Sequence, residues 1–217
     1  DFVVVQPMGY CGQCSNCIIG KIQYCENTVN IGKNSDGGFV EYLKVPEKFL
    51  YKIDSLDKKY ALVDSLACII HSENLAGKIQ NKKICIIGDG AVSEIAVRYF
   101  SLQNQVTNLI KNLESSSDIY CERLNIEDAQ RDNELTGIFD VVFECVGGNN
   151  DYIINYSANL LKFNGFLIVL GVYEKDFYPT IYLRNLFFKE IKILGSNSFT
   201  INQTQDDFSC AIEFIKK

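Results

Sequence analysis

Ile84-Cys85-Ile86-Ile87-Gly88-Asp89-Gly90-Ala91-Val92-Ser93 joins a short apolar run to a glycine turn and then to the start of a helical pattern. A continuous apolar run of this kind is expected of a parallel strand buried on both faces. Gly88 permits a tight turn. Gly90 lets the backbone approach a ligand, and the unpaired amides of the following helix suit a diphosphate. The spacing Gly-x-Gly-x-x-Ser departs from the dinucleotide fingerprint only at Ser93, where Gly or Ala is usual for close helix–strand packing. An ordinary strand-to-helix turn shares the same context.

The pattern continues downstream. Val106 to Ile110, Phe139 to Val146, Phe166 to Leu170 and Ile191 to Leu194 read as strands. Ala91 to about Leu102, Asp151 to Leu161 and a segment after Asp206-Asp207 read as helices. Upstream, Leu56 to about Leu75 is a further helix, with Leu62, Leu66, Ile69 and Ile70 apolar. The stretch from Leu113 to Glu134 is polar and yields no assignment. Strands alternating with helices imply right-handed crossovers and a parallel sheet, hence an α/β fold. About 20 residues beyond the glycine turn, an acid is expected where a ribose 2′-hydroxyl is bound. Lys111 stands there instead, which suits a 2′-phosphate, although a solvated surface lysine reads the same way.

Before residue 55 the chain has another character. Val3 to Val5, the alternating Phe39-Val40-Glu41-Tyr42-Leu43-Lys44-Val45 and Phe49 to Ile53 read as short strands. Between the first two lies Cys11-x2-Cys14-x2-Cys17-x7-Cys25. Four thiolates at such spacing close a tetrahedral shell around zinc, leave no open position, and so form a structural site. Redox-active thiols, an iron–sulfur cluster and a nucleic-acid-binding zinc ribbon are the rival readings. The long last gap and the lack of a following Pro weigh against the cluster. Lys21 is the one basic residue between Cys11 and Cys25, which weighs against the ribbon.

Composition bounds the partners. A net charge of -6 disfavours a nucleic-acid partner. No apolar run approaches the roughly 20 residues of a membrane span, and the N-terminus lacks the basic region of a signal peptide. Nine cysteines, four of them crowded together, fit a reduced compartment, so a cytoplasmic location is expected.

These motifs, in this order, resemble the zinc-containing medium-chain dehydrogenases: alcohol, sorbitol, threonine and polyol-phosphate dehydrogenases. Asp1-Phe2-Val3-Val4-Val5 resembles the family's GDRVVV strand, and the four cysteines have the spacing of its structural-zinc lobe. Gly37-Gly38-Phe39-Val40-Glu41-Tyr42 resembles GGFAEY, Leu66-Ala67-Cys68-Ile69-Ile70-His71 resembles LACALH, and Asp140 to Gly148 resembles DVVIEAVGG. The likeness covers nearly the whole chain. Gly88-Asp89-Gly90 and Phe143 to Gly148 are also similar to the NADPH-using ribitol-5-phosphate dehydrogenase branch.

The resemblance implies a Rossmann doubly wound parallel sheet over residues 58–217. It also implies a remnant of a β-rich GroES-like catalytic domain over residues 1–57, with the zinc lobe at 9–28. It implies hydride transfer between a nicotinamide (NADP or NAD) and an alcohol, polyol or sugar-phosphate carbon, with zinc as cofactor and a homo-oligomer, dimer or tetramer, as the assembly. The alternative is a non-catalytic, degenerate dinucleotide-binding protein. Gly88, Asp89, Gly90, Ala91, Val92, Lys111, Val146, Leu170, Gly171 and Val172 fall where the family touches the cofactor. Cys11, Cys14, Cys17 and Cys25 fall on the structural-metal ligands.

Asp64 falls on the Glu of the family's EPL, a catalytic-zinc ligand, with Ser65 in place of Pro. A helix-surface or capping acid is the alternative reading of Asp64. His71 matches a non-ligand position and reads as a helix residue facing the region between domains. The family's other catalytic-zinc ligands, a Cys and the His of Gly-His-Glu, lie upstream of the residue matching Asp1, and a C-terminal return segment lies beyond Lys217. The expectation is therefore an active full-length parent and an inactive 217-residue chain.

Overall fold

The computed structural model describes residues 1–113 and 120–217. Its contacts divide the chain into two compact units, residues 1–71 with 197–217, and residues 72–196. The expected boundary at 57/58 lies elsewhere: the start of the second helix and the C-terminal segment belong with the first unit. No helix among the described residues is long and apolar enough to cross a membrane.

The first unit holds β1 (Phe2–Val5), β2 (Met8–Gly9), β3 (Val29–Asn30) and β4 (Leu50–Ile53). β1 pairs antiparallel with β4, and β2 with β3. The second pair closes the base of the cysteine loop, which carries α1 (Ser15–Ile18). Residues 39–45 are not a strand, against expectation. Alternation prepares two faces, but a strand also needs an edge to take its backbone hydrogen bonds. No strand among the described residues pairs with this segment, and Phe39 and Tyr42 stand exposed.

α2 (Val63–Ala76) follows a 3₁₀ turn whose N-cap, Asp57, accepts from the Lys59 amide. Leu66, Ala67, Ile69 and Ile70 are buried on it. Also in the first unit, Phe208 of the C-terminal helix packs its ring against Phe199 and Tyr51, at 5.3 and 4.8 Å between centroids. Buried Asp207 ties these pieces together. Its Oδ2 accepts from the Thr200 amide at 2.8 Å and meets His71 Nδ1 at 2.9 Å, and its Oδ1 accepts from Gln205 at 2.9 Å. Removing a buried acceptor strands its donors, so Asp207→Leu is expected to cost about 3 kcal/mol in urea denaturation. A loss below about 1 kcal/mol would show these bonds to be dispensable.

The second unit is a doubly wound sheet. Its strands are β5 (Lys83–Ile87), β6 (Gln105–Ile110), β7 (Glu122–Asn125), β8 (Phe139–Glu144), β9 (Leu161–Val169) and β10 (Lys192–Gly195). All neighbours are parallel, in the order β10-β9-β8-β5-β6-β7. Counting from β5, this is the dinucleotide-binding order, and its direction reverses between β5 and β8. Ile84 to Ile87, Leu109, Val142, Phe143, Leu167 and Ile168 are almost wholly buried, as strands covered on both faces require.

The helices of this unit are α3 (Ala91–Phe100), α4 (Ile126–Asp132), α5 (Asp151–Leu160) and α6 (Leu183–Lys189); α7 (Asp207–Lys216) is the C-terminal helix of the first unit. Asn125 and Asn150 cap α4 and α5, each accepting two backbone amides. β7 and α4 fill part of the polar stretch that yielded no assignment. Residues 114–119 of that stretch lie outside the described residues.

Candidate functional site

The cysteine loop brings four sulfurs together. The Sγ atoms of Cys11, Cys14, Cys17 and Cys25 all lie within 4.8 Å of one another. The Cys11–Cys17 and Cys14–Cys25 separations are 3.9 and 4.0 Å. Sulfurs arranged tetrahedrally around zinc at its usual bond length stand about 3.8 Å apart, so the donor set fits that ion.

Short-range structure explains the convergence. Cys14 is the N-cap of α1, Cys17 lies within it, and Cys25 ends the next 3₁₀ turn. The Cys11 amide donates to Cys25 Sγ at 3.3 Å, and the Cys14 amide to Cys11 Sγ at 3.4 Å. Amides from Gln13 and Cys14 hold the Cys11 thiol down to about 6, whereas burial pushes Cys17 up to about 12. A divalent cation among the sulfurs would draw all four to thiolate. Among the described residues, no other group of three or more His, Cys, Asp or Glu is placed to share a metal. Asp64 and His71 are therefore not joined into such a set.

Asp64 lies in the first turn of α2, and burial raises its carboxyl above the ordinary range. Cys68, one turn further on, is pushed up to about 12 by burial and then by the charges of Asp64 and Asp207. His71 is held within the first unit, its Nδ1 2.9 Å from Asp207 Oδ2.

In the second unit, the carboxyl ends of the strands form a contiguous shelf. Gly88 has φ +137, and a Cβ there would stand 3.3 Å from Cys145 Cβ. A Cβ at Gly90 would meet nothing within 4 Å, so the space over that backbone is open. Gly90 caps α3, and the first intrahelical bond runs from the Glu94 amide to its carbonyl. The amides of Ala91, Val92 and Ser93 precede that bond and face the turn. Ser93 is buried, and its hydroxyl donates to the Gly90 carbonyl at 2.6 Å. The irregular third position therefore packs closely with its polar group satisfied.

One strand over, the loop after β8 packs on the loop after β9. The Gly148 amide donates to the Val172 carbonyl at 2.8 Å, and the Leu170 and Gly171 amides donate to the Glu144 carbonyl at 2.8 and 2.9 Å. Val146 and Val172 are exposed along this shelf, as is Asp89 at the neighbouring turn. Lys111 stands exposed at the end of β6, its carbonyl accepting from Asn125.

Sequence reasoning missed two residues. Buried Glu144 accepts the Val146 and Gly147 amides on Oε1 at 2.7 and 2.8 Å. Buried Asn108 holds the turn after β5. The available signal was a polar residue within a strand read as part of a buried parallel sheet.

Comparison with known proteins agrees with this arrangement. Residues 118–217 match the family model described as zinc-binding dehydrogenase, and residues 1–55 the alcohol dehydrogenase GroES-like domain. An uncharacterized zinc-type alcohol dehydrogenase-like protein of Haemophilus influenzae is 30% identical over 210 residues, covering 91% of this chain and 60% of that protein. The L-galactonate-5-dehydrogenase of Escherichia coli is 25% identical over 95% of this chain and 62% of its own length. A candidate zinc-binding dehydrogenase of Sinorhizobium meliloti 1021, solved bound to NADP, superposes with a TM-score of 0.86 at 24% identity. That match covers 98% of this chain and 65% of the other. The chain spans about three fifths of the length of the curated relatives it matches.

Proposed function

The chain belongs to the zinc-containing medium-chain dehydrogenase family, and on that premise we propose that its protein is an NAD(P)(H)-dependent oxidoreductase acting on a CH–OH group of an alcohol, polyol or sugar phosphate. The observation that carries this reading is the open backbone at Gly90, on a turn at the switch point of a doubly wound sheet.

The residues present fit the dinucleotide. The amides of Ala91, Val92 and Ser93 would donate to the diphosphate, where no Cβ at Gly90 obstructs it. Asp89 flanks the diphosphate at the turn. Val146, Leu170, Gly171 and Val172 would line the nicotinamide end. Lys111 offers its ammonium to a 2′-phosphate, so NADP is the preferred form. Cys11, Cys14, Cys17 and Cys25 hold a structural zinc that fixes the loop.

By family likeness Asp64 is assigned as the carboxylate ligand of a catalytic zinc, and burial raises its carboxyl above the ordinary range. A catalytic zinc would polarise the alcohol oxygen for hydride exchange with a nicotinamide, and among the described residues Asp64 stands in no group of three or more that could hold it.

A non-catalytic dinucleotide-binding role would draw on Ser93, Asp64 and Ser65. The bond from Ser93 to Gly90 removes the first of these as a sign of decay. We place the protein in the cytoplasm on its thiol content and expect a homo-oligomer, dimer or tetramer, by family likeness.

Lys111→Ala tests the cofactor assignment. NADPH affinity, read by fluorescence titration, should fall about tenfold with NADH affinity unchanged. Equal loss for both dinucleotides, or none, would remove Lys111 from the 2′-phosphate site. Polyol-dependent reduction of NADP by the full-length protein tests the reaction itself.

A further inference from the structure

We propose that Asn108 is a positioning residue for the diphosphate turn, a role that rests on the dinucleotide reading above. Asn108 lies within β6, opposite Ile86 of β5 on one side and Arg123 of β7 on the other. It is fully buried. Such a position normally takes Val or Ile, and a buried amide is unfavourable unless bonded. The Asn108 Nδ2 donates to the Ile86 carbonyl at 2.9 Å and to the Gly88 carbonyl at 3.0 Å. Both partners are acceptors only, which fixes the orientation of the amide with nitrogen toward them.

The consequence falls on Gly88. Its amide donates to the Leu109 carbonyl at 2.9 Å, and its carbonyl is gripped by Asn108. The residue is thus held from both sides by β6, at a φ that L side chains rarely adopt. In a planar trans peptide the carbonyl and the next amide point in opposite directions. Holding the Gly88 carbonyl against Asn108 therefore aims the Asp89 amide away from the sheet, toward the open space at Gly90. Without the clamp, the Gly88–Asp89 peptide is free to rotate and the turn loses its preset shape.

The other end of the side chain separates this role from simple stability. Asn108 Oδ1 is buried and has no hydrogen-bond partner among the described residues. An apolar side chain of similar size relieves that orphan acceptor while losing the clamp.

Asn108→Leu is therefore expected to melt within about 3 °C of the unsubstituted chain. It should bind NADPH and NADH each about tenfold more weakly in fluorescence titrations. Hydrogen exchange at the Asp89 and Gly90 amides should quicken in the same variant. If the leucine variant does not fold, Asn108→Ser replaces it; one short hydroxyl cannot bridge both carbonyls, and affinity should again fall. Binding within about twofold of the unsubstituted chain in the folded variant would overturn the positioning role alone. Absence of NADPH and NADH binding by the unsubstituted chain would instead overturn the dinucleotide reading, and the role with it.

Discussion

A chelator strong enough to take zinc from Cys11, Cys14, Cys17 and Cys25 should release one zinc per chain and lower the melting temperature by roughly 10 °C. The loop has little core of its own. Ile22 and Cys25 are buried, but Ile18, Ile19 and Tyr24 stand largely exposed. Its other anchors within the first unit are slight: Gln23 bonds Thr200 at 3.0 Å, and Gly20 lies where a Cβ would come within 2.2 Å of Asn202 Cβ. Four converging sulfurs repel one another once ionised, and burial of Cys17 opposes its ionisation. A cation reverses both effects. Structural zinc supplies about 10–16 kcal/mol to isolated zinc-finger peptides. If about 4 kcal/mol of this reaches the folded unit, a shift near 10 °C follows for a chain of this size. A chromophoric chelator followed alongside the melt measures both quantities, and Cys14→Ser should reproduce the loss. A melt indifferent to chelation, with no zinc released, would dissolve the metal-loop assignment.

Gly147→Val should destabilise the sheet unit by about 4 kcal/mol, because the loops after β8 and β9 meet backbone to backbone. A Cβ at Gly147, whose φ is +62, would lie 2.5 Å from both the amide nitrogen and the carbonyl oxygen of Val172. Across the contact, a Cβ at Gly171 would lie 2.3 Å from the Gly147 amide nitrogen and 2.6 Å from Glu144 Oε2. The backbone atoms on both sides cannot swing aside as a side-chain end could, so relief requires moving the shelf that carries Val146 and Val172. Gly148→Ala is the comparison: its φ is +69 but nothing lies within 4 Å, so conformation alone should cost about 1 kcal/mol. Gly195→Ala, with open space and no positive φ, should be nearly neutral. Urea midpoints across the three variants test the ranking. A Gly147→Val loss no larger than that of Gly148→Ala would mean the loops are not in contact.

Much of this arrangement was legible in the sequence. The Ile84 to Ile87 run, Gly88 and Gly90 announce the first strand, its turn and α3 because buried parallel strands and tight turns restrict residue type severely. The cysteine spacing announces a loop of converging sulfurs for a similar reason, since few other uses need four thiols so close.

The losses have physical causes too. Residues 39–45 alternate like a strand, but pairing depends on a neighbour that local pattern does not contain. β7 is short and polar at the sheet edge, as edge strands often are, and left little periodicity to read. The C-terminal segment looks like one more turn of the α/β pattern. Asp207 binds it to His71, a pairing of residues 136 positions apart that only tertiary structure discloses. Asn108 and Glu144 were passed over because each sits in a strand whose apolar neighbours already justified the assignment.

The most direct test is a fluorescence titration of the 217-residue chain with NADPH. Saturable binding of one dinucleotide per chain, competed away by NADP, is the expected result. An emission that never departs from that of free NADPH would contradict it.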